Sequence, residues 1–385
     1  MSQTFEADFI VIGAGMAGAS AAAPLAERGR VVILERESAV GYHSTGRSAA
    51  VYSQMYGNDV IRALTRASRQ HLFEPPPGFS AAPLVHKRAV LYFGLAHQRE
   101  SLREFRAAAD IQRGTVEVSA AAAAALLPVF DASQLAGGVL DASAADLDVD
   151  ALHQGFLRRA RALGASVRLE CAIQSIDPIG SGSGNGGSGG WSVVTSQGLF
   201  TAPVVINAAG AWGDEVARLA GVEPVGLQAM RRTALLIDAP DVPGLADMPT
   251  AIAVDESFYF KPDAGLLLLS PADETPCQPC DVQPEELDIA IAVDRFETAT
   301  GRQVGRIRSR WAGLRVFSPD RSPVVGFEPS APGFFWLVGQ GGYGIQTAPA
   351  LGRVAAALAS RSPVPDDIVA AGVDIAALSA QRLRS

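Results

Sequence analysis

The residues with the plainest chemical purpose come early in the chain. Gly13, Gly15 and Gly18 form a G-x-G-x-x-G run, with Met16 and Ala17 between the last two, directly after the apolar stretch Asp8-Phe9-Ile10-Val11-Ile12. Such a turn lets backbone N–H groups meet a pyrophosphate that any side chain would hold away. Gly13 permits the tight turn, Gly15 the close approach and Gly18 the packing of helix on strand, while the helix N-terminus favours negative charge. Glu35, followed by Arg36, closes the next apolar run, where a carboxylate accepts hydrogen bonds from a ribose diol. A 2′-phosphate would be repelled there, so NADP is disfavoured, while NAD and FAD both stay open.

Other reactive residue types make weaker patterns. Cys277 and Cys280 form a lone C-x-x-C among prolines, without a second Cys or His pair nearby. This reads as an ordinary loop, and no metal is expected. His43 lies in a Ser/Thr/Gly loop from Gly41 to Ser48 and reads as a loop histidine beside a cofactor. A strand-to-helix turn of small residues recurs at Asn207-Ala208-Ala209-Gly210-Ala211-Trp212, and a glycine turn at Gly339-Gln340-Gly341-Gly342-Tyr343-Gly344.

The elements that must hold these residues follow from periodicity and punctuation. A strand to Ile12, an alanine-rich helix to about Arg28 and a strand Val31-Val32-Ile33-Leu34 make a βαβ unit. Asp148 to Leu163 reads as a helix opened by an acidic cap, with Leu152, Phe156 and Leu163 on its apolar side, and a strand Ser166 to Ile176 follows. Phe79 to Phe93 reads as proline-bounded strand, and Glu100 to Leu127 as helix rich in alanine and charge. The Gly/Ser run 181–190 reads as a long hairpin tip. Strands dominate from Leu227 to Ser318, and Phe334-Phe335-Trp336-Leu337-Val338 returns to a buried strand followed by a helix to Ala359. One dinucleotide domain assembled from residues 1–80, 142–222 and 320–385, with a substrate domain of residues 81–141 and 223–319 inserted, accounts for this order.

Composition narrows the partners. Of 385 residues, 48% are hydrophobic and 19% charged, which is globular, and the net charge of −8 without a basic block argues against nucleic acid. Three cysteines suit a reducing compartment, so a cytoplasmic location is expected, with contact at the inner face of a membrane left open. Phe9 to Ala26 is apolar but carries three glycines and Pro24, so it reads as strand, turn and helix, and no transmembrane segment is expected.

The landmarks Gly13 to Gly18 with Glu35-Arg36, Gly41 to Ala50, Asn207 to Trp212, Trp311-Ala312-Gly313-Leu314-Arg315 and Gly339 to Gln346 together resemble the D-amino-acid oxidase and dehydrogenase family of flavoenzymes, and most of all its arginine-oxidising bacterial members. The resemblance implies an α/β fold: a glutathione-reductase-type FAD-binding Rossmann domain with an inserted mixed-sheet α+β substrate domain. It implies non-covalent FAD, held by the glycine turn and by Thr45, Gly46, Arg47, Ser48, Ala49, Ala172, Ala209, Gly210, Trp212, Gly313, Gly341, Gly342, Tyr343, Gly344, Ile345 and Gln346. It also implies oxidative deamination of a D-amino acid, with hydride passing from Cα to flavin N5 and the imino acid hydrolysing to a 2-oxo acid and ammonia. Arg315 matches the arginine that grips the substrate carboxylate with two parallel hydrogen bonds. Arg232 matches a second pocket arginine, Tyr259 a carboxylate-holding tyrosine and Tyr56 a lid tyrosine, and Gly342 offers its carbonyl to the amine. No side chain stands out as a base, and positioning carries most of the catalysis.

Val90 and Val51, with Ser53 and Ile345, occupy the positions implied to line the side-chain pocket. Members that prefer D-arginine carry a glutamate where Val90 stands and a histidine where Val51 stands. Loss of that charge predicts a preference for uncharged, hydrophobic D-amino acids, unless Glu74 or a carboxylate from a different strand reaches in. A glycine, sarcosine or proline oxidase on the same architecture is the competing enzyme reading. A non-catalytic flavin-binding redox subunit and an NAD-dependent dehydrogenase are the others. The electron acceptor, whether quinone, carrier protein or oxygen, is not encoded in any motif.

Overall fold

The computed structural model describes residues 4–108, 115–180 and 189–384. Four apolar runs far apart in sequence become neighbours in one six-stranded sheet, in the order Ser166–Arg168, Val31–Leu34, Phe9–Ile12, Val204–Asn207, Phe334–Val338, Val324–Phe327. The first five are parallel and the last antiparallel. Parallel strands carry connections on both faces and so are buried on both, which is why these runs are continuously apolar. Val11, Ile33, Ile206, Phe335 and Leu337 point to the helices Met16–Ala26 and Gly344–Ala359, while Ile10, Val32, Val205 and Trp336 point to the opposite face. That second face is covered by a four-stranded sheet of Thr4–Glu6, Gly198–Ala202, Gly190–Thr195 and Ile173–Ile179, which contributes Trp191 and Phe200.

The remaining strands form a three-stranded sheet of Val51–Tyr52, Ala145–Leu147 and Val85–Lys87 and a ten-stranded mixed sheet. Its long strands Gln228–Asp238 and Ile307–Phe317 pair antiparallel, with Arg232 opposite Gly313 and Met230 opposite Arg315. Its apolar face, with Leu235, Ile237, Phe258, Phe260, Leu267 and Leu269, packs on Ile289, Ala292 and Phe296 of the helix Glu286–Thr300. This is the mixed α/β architecture expected, a nucleotide-type sheet beside a mixed sheet.

Local readings differ in several places. The run from Ser166 to Ile176 is not one strand: Ser166–Arg168 joins the six-stranded sheet and Ile173–Ile179 the four-stranded one, the chain turning through Glu170 at φ 53°. Within the stretch read as helical from Glu100, Thr115–Val118 is a strand on Leu135–Asp141. The helix Glu286–Thr300 interrupts the strand-rich half, ending on Gly301 at φ 69°. Of the Gly/Ser run, residues 181–188 lie outside the described residues, and the strands on either side of it pair antiparallel. The helix Val149–Ala162 keeps the cap as read, with the Asp148 carboxylate accepting from Ala151 N at 2.8 Å, and buries Leu152 and Phe156, whereas Leu163 follows the helix and is exposed. Among the described residues no helix is long and apolar enough to cross a membrane.

Candidate functional site

A cavity of about 430 Å3 runs from the glycine turn to the ten-stranded sheet. At its first end Gly13 adopts φ 102°, and a Cβ there would stand 2.6 Å from Ala208 O; a Cβ on Gly18 would stand 2.0 Å from Gly13 O. The turn and the strand–helix contact therefore both require glycine, as the motif predicts. Gly18 does its work beneath the turn, not on the cavity wall. Gly15, Met16 and Ala17 border the cavity, and Met16 N donates to Thr45 Oγ1 at 2.9 Å, which ties the start of the helix to the loop that faces it. Glu35 borders the cavity and its carboxylate accepts from Ala14 N at 2.8 Å and Glu37 N at 3.0 Å. His153, buried on the helix Val149–Ala162, reaches Ala14 O through Nε2 at 2.9 Å. That support was not read from sequence, where a histidine in an amphipathic helix carries no special signal.

Arg36, His43 and Trp212 form a stack beside the same end. The Arg36 guanidinium lies 3.9 Å from the Trp212 ring centre and the His43 ring 4.6 Å from it. His43 bonds Glu37 at 2.9 Å, and this hydrogen bond is the main cause that holds the Glu37 carboxyl below its ordinary range. His43 is thus a loop histidine at the cavity wall, as expected. The loop from Gly41 to Ala49 is pinned across to the ten-stranded sheet: Ser44 Oγ donates to Leu314 O at 2.7 Å, Arg47 donates to Ala312 O at 3.1 Å and to Val282 O at 2.9 Å, and Arg47 pairs with Asp281. Gly46 shapes this loop from within, its N–H donating to Gly41 O at 2.8 Å.

At the second end stands Arg315. Its guanidinium lies deep in the protein and borders the cavity, and Nη1 donates to the Tyr56 hydroxyl at 2.8 Å. Burial opposes its charge, but the Tyr56 and Tyr259 hydroxyls, the Tyr56 hydrogen bond and the more distant Glu274 together carry its pKa above the ordinary arginine value. Among the described residues no carboxylate comes within the 4.0 Å of an ion pair with it. A Cβ on Gly342 would stand 2.9 Å from Arg315 Cζ, so this glycine of the second turn is what lets the guanidinium lie where it does. Arg232 borders the same cavity and is engaged by Asp273 O at 2.7 Å and the Glu274 carboxylate at 3.1 Å. Its sequence neighbour Arg231 points away into Asp288, Glu285 and Asp273, so strand alternation alone separates a cavity arginine from a structural one. The pairing of Arg232 with Glu274 was missed, because the two are far apart in sequence.

The remaining candidates divide clearly. Ser48, Ala49, Ala172, Ala209, Gly210, Gly313, Gly341, Gly344, Ile345 and Tyr259 all border this cavity. Tyr56 and Tyr343, their ring centres 4.6 Å apart, border a second cavity of about 860 Å3 instead, and burial pushes the Tyr343 hydroxyl up to about 12. Gln346 is buried and braces the fold, accepting from Ser53 N at 3.1 Å and donating to Thr65 at 2.9 Å. Val90 and Val51 pack with Tyr92, Leu102 and Val254, and neither borders either cavity. Ser53 is likewise buried, its hydroxyl on Asp141 at 2.7 Å. Glu74 is exposed at the end of the helix Asp59–Phe73. Cys277 is not in the loop expected but ends the short strand Thr275–Cys277, opposite Ala229, while Cys280 lies on the exposed loop after it with the sulfurs 3.6 Å apart; among the described residues no group of His, Cys, Asp or Glu could hold a metal.

The elongated cavity, its glycine-walled end with an exposed helix N-terminus and the acidic residue after the second strand fit an adenine dinucleotide extending toward Arg315. Comparison with known proteins narrows this. The chain is 27% identical over 350 residues to human mitochondrial sarcosine dehydrogenase, and 28% identical over 378 residues to the bifunctional tRNA 5-methylaminomethyl-2-thiouridine biosynthesis protein MnmC of Thiobacillus denitrificans. These matches cover 86% and 92% of this chain but 37% and 56% of the relatives, so the chain spans about a third to a half of their length. Among solved structures, glycine oxidase from Geobacillus kaustophilus superposes with a TM-score of 0.81 at 21% identity, covering 98% of this chain and 99% of that one. L-Proline dehydrogenase from P. horikoshii superposes with a TM-score of 0.80 at 19% identity, covering 99% of each. Both likenesses speak to the fold. A model of the FAD-dependent oxidoreductases matches residues 8–358, so the chain belongs to that family, DAO, and FAD is its cofactor.

Proposed function

We propose that this FAD-dependent oxidoreductase oxidises the Cα–N bond of a D-amino acid, giving an imino acid that hydrolyses to a 2-oxo acid and ammonia. The observation that carries the proposal is Arg315, a half-buried guanidinium set deep in the protein without a carboxylate partner among the described residues, at the end of the cofactor cavity. A buried cation lacking its counter-ion is costly, and a substrate carboxylate would supply one with two parallel hydrogen bonds. Bound FAD supplies the acceptor for the hydride leaving Cα. The protein's own part is to orient: Arg315 and Tyr56 fix the carboxylate, Tyr259 and the Arg232–Glu274 pair flank it, and Gly342 presents backbone to the amine. No general base is invoked, because the amine reacts in its neutral form.

The arginine-oxidising members of the family provide the motif match, whereas the preference for apolar side chains expected from Val90 loses its footing, since Val90 is buried away from both cavities. A second reading, oxidation of glycine, sarcosine or proline, is favoured by what the relatives and structural neighbours are named for. The two separate in one experiment. The purified yellow protein is mixed anaerobically with D-amino acids, their L-enantiomers, glycine, sarcosine and proline, and flavin absorbance is followed. Bleaching by D-amino acids and not by the others supports the first reading; bleaching only by glycine or N-alkyl substrates replaces it with the second; no bleaching by any of them rejects both.

A further inference from the structure

The second cavity lies beyond Tyr56, whose hydroxyl meets Arg315 while the residue borders this other space. One wall is the sheet face carrying Tyr92, with Asp141 on the adjacent strand directly opposite Val90 in register. Asp141 is 1% exposed. Its Oδ2 accepts from Ser53 Oγ at 2.7 Å and its Oδ1 from Ser143 N at 3.0 Å and Ser143 Oγ at 2.7 Å. A carboxylate accepts about four hydrogen bonds, so one position is left. Among the described residues no Lys, Arg or His comes within 4.0 Å of its oxygens. Beside it the Tyr92 hydroxyl, on a residue 5% exposed, is buried at the same wall without a well-formed hydrogen bond, its polar neighbour Ser53 donating its own hydroxyl to Asp141. Two polar groups are thus withdrawn from water at one place, one lacking a counter-ion and the other a well-formed hydrogen bond, a combination that native interiors rarely leave standing.

We propose that the second cavity receives the side chain of the substrate and that Asp141, helped by the Tyr92 hydroxyl, recognises a cationic group, an ammonium or guanidinium, at its end. The proposal rests on the reading of Arg315 as the grip on the α-carboxylate. It reverses the preference inferred from Val90: the charge absent from that position stands one strand over, facing the same side of the sheet. Arg66 and Arg321 also border the cavity, but each has an acceptor, Ala371 O at 3.3 Å and the Glu274 carboxylate at 3.0 Å. Arg62 is the competing feature. Its Nη1 lies 3.6 Å from Asp59, but its Nε is buried and unpartnered, and it would draw an anionic side chain instead.

The test compares kcat/KM for D-lysine, for D-norleucine, which has the same length without the ammonium, and for D-glutamate, in the FAD-loaded wild type and in Asp141→Asn. The expected result is a ratio of D-lysine to D-norleucine of at least tenfold in the wild type, falling at least tenfold in the variant. A wild-type ratio below tenfold, an Asp141→Asn variant that lowers both substrates alike as a structural lesion would, or a preference for D-glutamate overturns the proposal. Should Asp141→Asn not fold, the wild-type ratio decides, and Tyr92→Phe must lower it. Turnover of D-norleucine with no gain for D-lysine rejects the side-chain pocket and leaves the D-amino-acid reading intact; failure of every D-amino acid rejects both.

Discussion

At the scale of single residues the site rests on contrasts of partnership. Arg231 and Arg232 are adjacent and identical in type, yet the first is neutralised by Asp288 and Glu285 and the second turns to the cavity. Arg315 alone of the three arginines meets only a neutral hydroxyl. Replacing it with lysine keeps the charge and removes the planar fork, which is no conservative change at a bidentate site. The expected loss is about 2–5 kcal/mol of transition-state binding, or roughly thirty- to several-thousand-fold in kcat/KM, with the flavin still bound and its spectrum retained. Gly342→Ala tests the same contact from the other side. A methyl group 2.9 Å from the guanidinium carbon must displace it, so steady-state kinetics should show a raised KM for the amino acid alongside a near-normal FAD content. An unaltered KM would show that the guanidinium position is not what binds the substrate. Much at this scale was legible in the sequence, because the glycine turns and the arginine on its Trp-Ala-Gly-Leu-Arg strand are short, local signals. Asp141 was not: its relation to Val90 depends on which strands pair, and nothing local announces that.

At the scale of elements, strand periodicity and caps were readable, and long-range pairing was not. The helix Glu286–Thr300 escaped notice among strands although Gly301 marks its end and Glu286 and Asp288 its first turn; the apolar residues between them fit strand as well as helix. The contact between His71 of helix Asp59–Phe73 and Phe156 of helix Val149–Ala162 gives a pH-dependent consequence. His71 stacks on Phe156 at 5.4 Å and meets Phe79 edge-on at 4.6 Å, and its Nε2 is buried without a partner. Burial, with a smaller contribution from Arg353, pushes its pKa down to about 4. The folded state therefore resists a proton that the unfolded chain accepts near pH 6.5. This contribution to stability is fully present above that pH and is lost as pH falls toward 4, by about 3 kcal/mol in all. In His71→Phe the aromatic cluster persists and the titration disappears. Denaturant midpoints measured from pH 7 to pH 4 should fall less steeply in the variant than in the wild type, and parallel slopes would contradict the assignment.

At the scale of the whole molecule, the cofactor cavity is a joint between two sheets. One end belongs to the six-stranded sheet through Gly13, Gly15 and Glu35, and the other to the ten-stranded sheet through Arg232, Gly313 and Arg315, with the loop from Gly41 to Ala49 fastened to both. The separation of these segments along the chain was visible in the sequence; that one space is walled by all of them could be known only from how the sheets meet. A ligand spanning the joint stabilises the folded state by mass action, about 2.7 kcal/mol when free FAD is a hundredfold above its Kd. For a chain of this length that amounts to a rise of a few degrees in Tm. The apoprotein, titrated with FAD in a calorimeter, should show this rise growing with the logarithm of FAD concentration. The joint makes a further demand: with FAD absent, the two sheets lose their shared filling and the melting transition should broaden or split, while FAD restores a single sharp one. FMN, which lacks the adenosine half that the Gly13 turn and Glu35 would hold, should give a much smaller shift. An equal shift with FMN would mean that the glycine-walled end contributes little to cofactor binding, and that only the end near Arg315 couples the sheets.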